Sequence, residues 1–184
     1  MKKIALFLSV LFISISSFAQ AKEEVPSSQS DTVEFFNTQG SLFVKEFYDL
    51  TKVNSVECQV LILSDVVNDT KNGYLRLTTY GSSIVKDAYI GTLYYDELDA
   101  CIEALQYIKD TILPSTPLVY TEVEYETKKG VEFGAYFSKN KWKACVYTNG
   151  DISCSGEFLS ADNIDSFISI MNQAKTLIAE KTAK

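Results

Sequence analysis

The chain has 184 residues, 46% of them apolar and 22% charged, with only 3 prolines and 8 glycines, which excludes a disordered or collagen-like protein. Net charge is −7, histidine is absent, and 16 of the 17 basic residues are lysine, Arg76 being the exception. The missing imidazole removes the commonest general base and the usual transition-metal ligand, and the acidic balance disfavours phosphate chains as partners.

Lys2 and Lys3 precede an apolar run over 4–15, and Ser17 and Ala19 place small residues at −3 and −1 before Gln20. That pattern is a secretory signal sequence over 1–19. The run is too short to span a membrane comfortably, and no second candidate span follows it. Cleavage leaves 15 basic against 24 acidic residues, a net charge of −9, in an exported protein, periplasmic or secreted. Residues 21–31 are polar, aperiodic and interrupted by Pro26, so a flexible leader is expected over 20–39. A single folded domain is expected over 40–184.

Strand signals follow, rich in Val, Ile, Leu, Phe and Tyr and alternating in polarity, at 41–49, 55–63, 73–80 and 87–93. Over 96–112 the period changes: Leu98, Cys101, Ile102, Leu105, Ile108 and Ile112 make one helical stripe. Pro114 and Pro117 end that helix. Strands return at 118–126, 130–139, 141–148 and 151–159, and a second helix at 161–180 carries Ile164, Phe167, Ile168, Met171, Ala174 and Ile178. Asp96 and Asp162 stand where a carboxylate caps free N–H groups.

Shifting the second helix back by 66 residues matches Asp96 with Asp162, Asp99 with Asp165, Ile102 with Ile168, Lys109 with Lys175 and Ile112 with Ile178. Val56-Glu57 lies over Val131-Glu132 at an offset of 75, Leu42 and Glu46 over Leu118 and Glu122 at 76, and Tyr74-Leu75-Arg76-Leu77 over Trp142-Lys143-Ala144-Cys145 at 68. The fold class is therefore α+β, two tandem ββββα repeats at about 41–113 and 117–181. Each antiparallel sheet would be packed by one helix, and the two units would share a core. This element order resembles the Whirly and PUR-repeat proteins. The resemblance implies single-stranded nucleic-acid binding on the sheets, but no sequence motif of either family is present and no functional residue carries over.

A nucleic-acid surface needs a basic groove with aromatic platforms. The platforms exist in Tyr74 and Trp142, but the alignment surrounds them with Glu46, Glu57, Glu122 and Glu132, so no nucleic-acid partner is expected. With Val56, Cys58, Val60 and Ile62 facing inward, Tyr74, Trp142, Tyr120 and Tyr136 should project outward beside those glutamates. Aromatic rings edged by carboxylates suit a sugar, a cationic peptide or a protein partner. The competing role for these rings is packing where the sheets meet, the commoner use of strand aromatics. Enzyme chemistry has little support: GxSxG, Walker, CxxC and HExxH patterns are missing, and no cofactor or metal site is expected. A carboxylate hydrolase of the glycosidase type is the alternative, with Glu46/Glu57 or Glu122/Glu132 as its pair. The function read from the sequence is thus an exported, non-enzymatic binding protein.

The four cysteines form a candidate disulfide set in an exported chain. Cys145 and Cys154 flank Asn149-Gly150, and a two-residue turn there would oppose them as a non-hydrogen-bonded pair with Cα atoms about 4.5 Å apart. That spacing is within disulfide range. Cys58 and Cys101, strand to helix in the first unit, are a second candidate pair. The competing reading leaves reduced thiols facing the core.

Overall fold

The computed structural model describes residues 41–81, 88–148 and 156–183. Residues 1–39, expected to hold a signal sequence and a leader, lie outside the described residues, as do Asn149-Gly150 and Cys154. Strands β1 (Phe43–Asp49), β2 (Glu57–Asp65), β3 (Thr70–Tyr80) and β4 (Ala88–Tyr94) form one antiparallel sheet in sequential order. A 3-10 turn (Tyr95–Glu97), helix α1 (Leu98–Tyr107) and a π-turn (Ile108–Ile112) follow it. Strands β5 (Thr121–Glu126), β6 (Glu132–Ser138), β7 (Lys141–Tyr147) and β8 (Gly156–Leu159) form a second antiparallel sheet, also in sequential order. Helix α2 (Ala161–Thr182) comes last. The molecule is α+β, with two four-stranded antiparallel sheets and two helices.

Period-2 alternation sets the faces of each sheet. Cys58, Val60 and Ile62 of β2 and Leu75 and Leu77 of β3 turn to the core. Phe133 and Ala135 of β6 and Ala144 and Val146 of β7 do the same in the second sheet. The stripe of α2 is buried as its spacing predicts, through Ile164, Phe167, Met171, Ala174 and Ile178. These residues, with Leu98, Cys101 and Leu105 of α1, make one continuous cluster. At its centre the Phe133 and Phe167 rings meet edge to face, centroids 5.3 Å apart, a geometry worth about 0.5–1.5 kcal/mol beyond the area buried.

The helices are not distributed one to each preceding sheet. The helix that follows the second sheet lies on β2 and β3 of the first. Ile178 sits so close to Gly73 that a Cβ there would be 2.3 Å from it. The start of α1 is tied to the second sheet: Glu97, only 6% exposed, accepts the N–H of Tyr94 (2.8 Å) and of Lys128 in the β5–β6 turn (3.1 Å). Glu97 therefore does the work expected of Asp96, which instead pairs with Lys128 Nζ at 2.7 Å on the surface. On α2 the cap is Ser160 rather than Asp162: its hydroxyl accepts the Asn163 N–H while the Asn163 side chain accepts the Ser160 N–H.

The helices face each other through two reciprocal ion pairs, Lys109 with Asp165 (2.5 Å) and Lys175 with Asp99. The sheets abut where Gly91 of β4 leaves no room for a side chain, a Cβ there falling 2.5 Å from the Thr148 carbonyl oxygen. Beside it Thr79 and Thr148 share a hydroxyl–hydroxyl bond of 2.7 Å, and Thr148 donates to the Tyr89 carbonyl.

Cys58, Cys101 and Cys145 carry free, buried thiols. The Cys58–Cys101 bond is therefore not made. Both groups serve as small core hydrophobes, and burial pushes the Cys58 thiol pKa up to about 12. In the register of β7 and β8 Cys145 lies across from Phe158 and Tyr147 across from Gly156; the expected Cys145–Cys154 pairing involves a residue outside the described ones. The Tyr147 ring covers Gly156 closely enough that a Cβ there would lie 2.3 Å from it.

Candidate functional site

The outer face of the second sheet is written in the alternation of β5, Thr-Glu-Val-Glu-Tyr-Glu. Val123 and Tyr125 pack on the core, so Glu122, Glu124 and Glu126 must point the other way. Cross-strand register extends each into a row: Glu126–Glu132–Tyr147–Gly156, then Glu124–Gly134–Cys145–Phe158, then Glu122–Tyr136–Lys143. Tyr120, just before β5, donates its hydroxyl to Glu122.

These rows enclose a cavity of about 250 Å³. Its walls are Tyr120, Tyr136 and Tyr147 with Glu122, Glu124 and Glu132, and its floor holds Gly134 and the Cys145 thiol, which donates to the Gly134 carbonyl at 3.7 Å. Among the described residues lining it there is no lysine or arginine. Lys143 stands at the rim, its ammonium 5.5 Å from the Tyr136 ring centroid and 5.6 Å from that of Phe158. Glu132 has its pKa raised by burial and then by Glu124, Glu126 and Glu122. Burial and hydrogen bonding to Cys145 likewise raise the Tyr147 hydroxyl. In both the largest cause is burial, and at Glu132 the neighbouring glutamates add to it.

Four of the expected site residues, Tyr120, Tyr136, Glu122 and Glu132, are thus brought together. Glu124 and Tyr147 join them without having been singled out, although the three-fold glutamate alternation of β5 was legible, and Cys145, expected as a disulfide candidate, joins them as a free thiol. The other four lie elsewhere. Glu46 pairs with Ile62 and so is on the helix side of β1, where it accepts the Tyr48 hydroxyl at 3.2 Å. Trp142 shares the inward parity of Ala144 and Val146, its ring edge-on to Phe137 and its Nε1–H donating to the Ser115 carbonyl at 2.9 Å. Tyr74 does point outward, but it is 4% exposed, packed with Leu61, Leu63 and the Tyr94 ring. Glu57 is outward too and already engaged: Lys52 (2.5 Å) and the Tyr80 hydroxyl (2.8 Å) hold its carboxyl below the usual range. The outer face therefore does not unite the eight residues into one site.

The corrections at Trp142 and Glu46 share one cause. Leu75 pairs with Val60 and Leu93, and Ala144 with Ala135 and Leu159, so Ala144 stands where Leu75 stands, one residue from the expected alignment. Tyr48 pairs with Val60 and Val123 with Ala135, which displaces Glu46 from Glu122 in the same way. A one-residue slip moves every side chain to the opposite face.

Among the described residues no group of His, Cys, Asp and Glu is placed to hold a metal ion, and no helix is long and apolar enough to cross a membrane. No protein-family model, curated protein or solved structure matches the chain.

Proposed function

We propose that the protein is an exported, non-enzymatic binding protein whose second sheet receives a cationic group, the ammonium or guanidinium of a peptide side chain or a small amine. The observation that carries this reading is the cavity walled by Tyr120, Tyr136, Tyr147, Glu122, Glu124 and Glu132. Tyrosine faces attract a cation by about 0.5–2 kcal/mol each when water is displaced, and charge-assisted hydrogen bonds to the carboxylates add direction. The same carboxylates repel a phosphate backbone, which argues against nucleic acid despite the Whirly-like order of elements.

The body that presents this face is, in the same proposal, a duplicated ββββα unit forming one domain behind a cleaved signal sequence and a flexible leader. Support comes from the repeated order of elements and from the reciprocal Lys109–Asp165 and Lys175–Asp99 pairs. It also comes from the matching caps, Glu97 on the Tyr94 N–H and Asn163 on the Ser160 N–H. Both cap and ion-pair correspondences fall at the offset of 66.

Calorimetric titration with a lysine-containing peptide and its acetyl-lysine counterpart tests the reading. The charged peptide should bind, weaken with added salt and lose most of its affinity to Glu124→Gln and Glu132→Gln. Equal binding of the acetylated peptide, or indifference to both substitutions, overturns it.

A further inference from the structure

The second sheet has two edges, and the chain treats them differently. At β8 the turn between β1 and β2 closes the edge. The Asn54 carboxamide donates to Glu157 Oε1 at 2.5 Å and to the Phe158 carbonyl at 3.4 Å, and the Ser55 hydroxyl donates to Glu157. At β5 no described strand pairs on the side away from β6. Half of its backbone groups are therefore left for another partner, and the β5–β6 turn shows which half. The Thr127 N–H donates to the Val131 carbonyl at 2.8 Å, which makes Glu126–Glu132 a non-hydrogen-bonded pair. The two kinds of pair alternate from there. Thr121, Val123 and Tyr125 exchange their bonds with β6, and the N–H and C=O groups of Glu122, Glu124 and Glu126 point off the open edge.

The same three residues carry the outward carboxylates. All three are exposed, and none is ion-paired among the described residues. Lys143, the cation of this face, stands two strands in, on β7. Between the glutamates Val123 and Tyr125 are only half-buried against the core. Exposed apolar side chains, Leu118 and Val119, lead into the strand.

An open edge is a template for another strand, and the charges here select which one. Two copies of β5 paired antiparallel would set glutamate against glutamate, which is destabilising. A second copy of this chain is thus disfavoured. A segment with Lys or Arg at every second position meets the opposite condition. Paired antiparallel, as every strand of this sheet is, its basic residues would lie straight across from the glutamates with Cα atoms about 5.5 Å apart. Apolar residues between them would cover Val123 and Tyr125.

We infer that β5 is the docking edge for an extended partner segment of alternating basic and apolar residues, which joins the second sheet as a fifth strand. The choice of a basic partner rests on the cationic reading of this face; the backbone pairing comes from the ladder phase and the open edge.

The test uses the peptide Thr-Lys-Val-Lys-Val-Lys-Thr and the folded chain, with amide hydrogen exchange followed by NMR. In the free protein the Glu122, Glu124 and Glu126 amides should exchange fast and those of Val123 and Tyr125 slowly. Saturating peptide should slow all three glutamate amides. Methylating the three lysine backbone nitrogens removes the donors that face β5, and should weaken binding at least about tenfold. Methylating instead the backbone nitrogen of the residue after each lysine, which faces away from β5, should leave the affinity unchanged. Binding that slows none of the glutamate amides, or a loss from the second methylated peptide as large as from the first, overturns the edge pairing and leaves the cationic site standing. A peptide that binds no better than its acetyl-lysine form overturns the cationic reading and the basic partner with it.

Discussion

On the outer face of the first sheet Glu57 is held by Lys52 and Tyr80, Gln59 by Asp49 and Arg76, and Arg76 also covers the Phe47 ring. On the outer face of the second, Glu122, Glu124, Glu126 and Glu132 stand in adjoining rows, with Lys143 at the rim over Tyr136 and Phe158. Strand order and pairing are the same in both sheets. What differs is how the charges are satisfied: locally in the first sheet, and incompletely in the second. The difference teaches that a common scaffold leaves its outer face free to diverge, because register fixes where side chains point and not what they are.

The sharpest test of that contrast is a pair of tyrosines. Tyr74→Ala should cost about 3 kcal/mol or more in urea unfolding, as truncation of a buried aromatic does. Tyr136→Ala should cost less than about 1 kcal/mol, as at a surface position. Equal costs would erase the distinction between a packed face and an open one. Next in size is the link between the halves. Glu97→Ala leaves the Tyr94 and Lys128 N–H groups to find other partners, and should lower stability by about 2 kcal/mol. No loss would mean the tie is dispensable.

pH separates the faces by sign. Glu132 has its pKa raised in the folded state, so the native protein holds more protons than the unfolded chain and stability falls as pH rises from 4.5 toward the folded value. Glu57 has its pKa lowered, so its contribution is present above 4.5 and is lost as pH falls through the folded value. Unfolding curves of Glu132→Gln and Glu57→Gln should flatten on opposite sides of 4.5. Flattening on the same side breaks the comparison. The smallest effect belongs to the helix pairs. Both are partly exposed, so Lys109→Ala should cost under about 1 kcal/mol, with Lys175→Ala behaving alike if the two pairs are equivalent.

Much of this architecture was legible in residue order because the signals were local. The helical stripes, the Thr-Glu-Val-Glu-Tyr-Glu alternation and the Asp99/Asp165 and Lys109/Lys175 matches each need only a few neighbouring positions. Parity in β7 was not legible, since Ala144, Cys145 and Val146 are three apolar residues in succession and any of them could face inward. Trp142 followed that parity to the core side. The Asn149-Gly150 dipeptide suggested one register for β7 and the strand after it, whereas the observed register sets Cys145 opposite Phe158 and Tyr147 opposite Gly156, where the Tyr147 ring lies over the glycine. Which sheet α2 would cover was equally hidden, because it depends on the distant approach of Ile178 to Gly73.

That placement of α2 governs the order in which the protein can be completed. Synthesis delivers β2 and β3 early and their covering helix only after the whole second sheet has been made. Until then the apolar side of the first sheet has no lasting partner, so the nascent first half cannot settle as an independent foldon. Closure joins segments far apart in sequence, which raises contact order and slows the final step. Chains interrupted before Ala161 should therefore accumulate as aggregation-prone or protease-sensitive fragments rather than as a stable half-molecule.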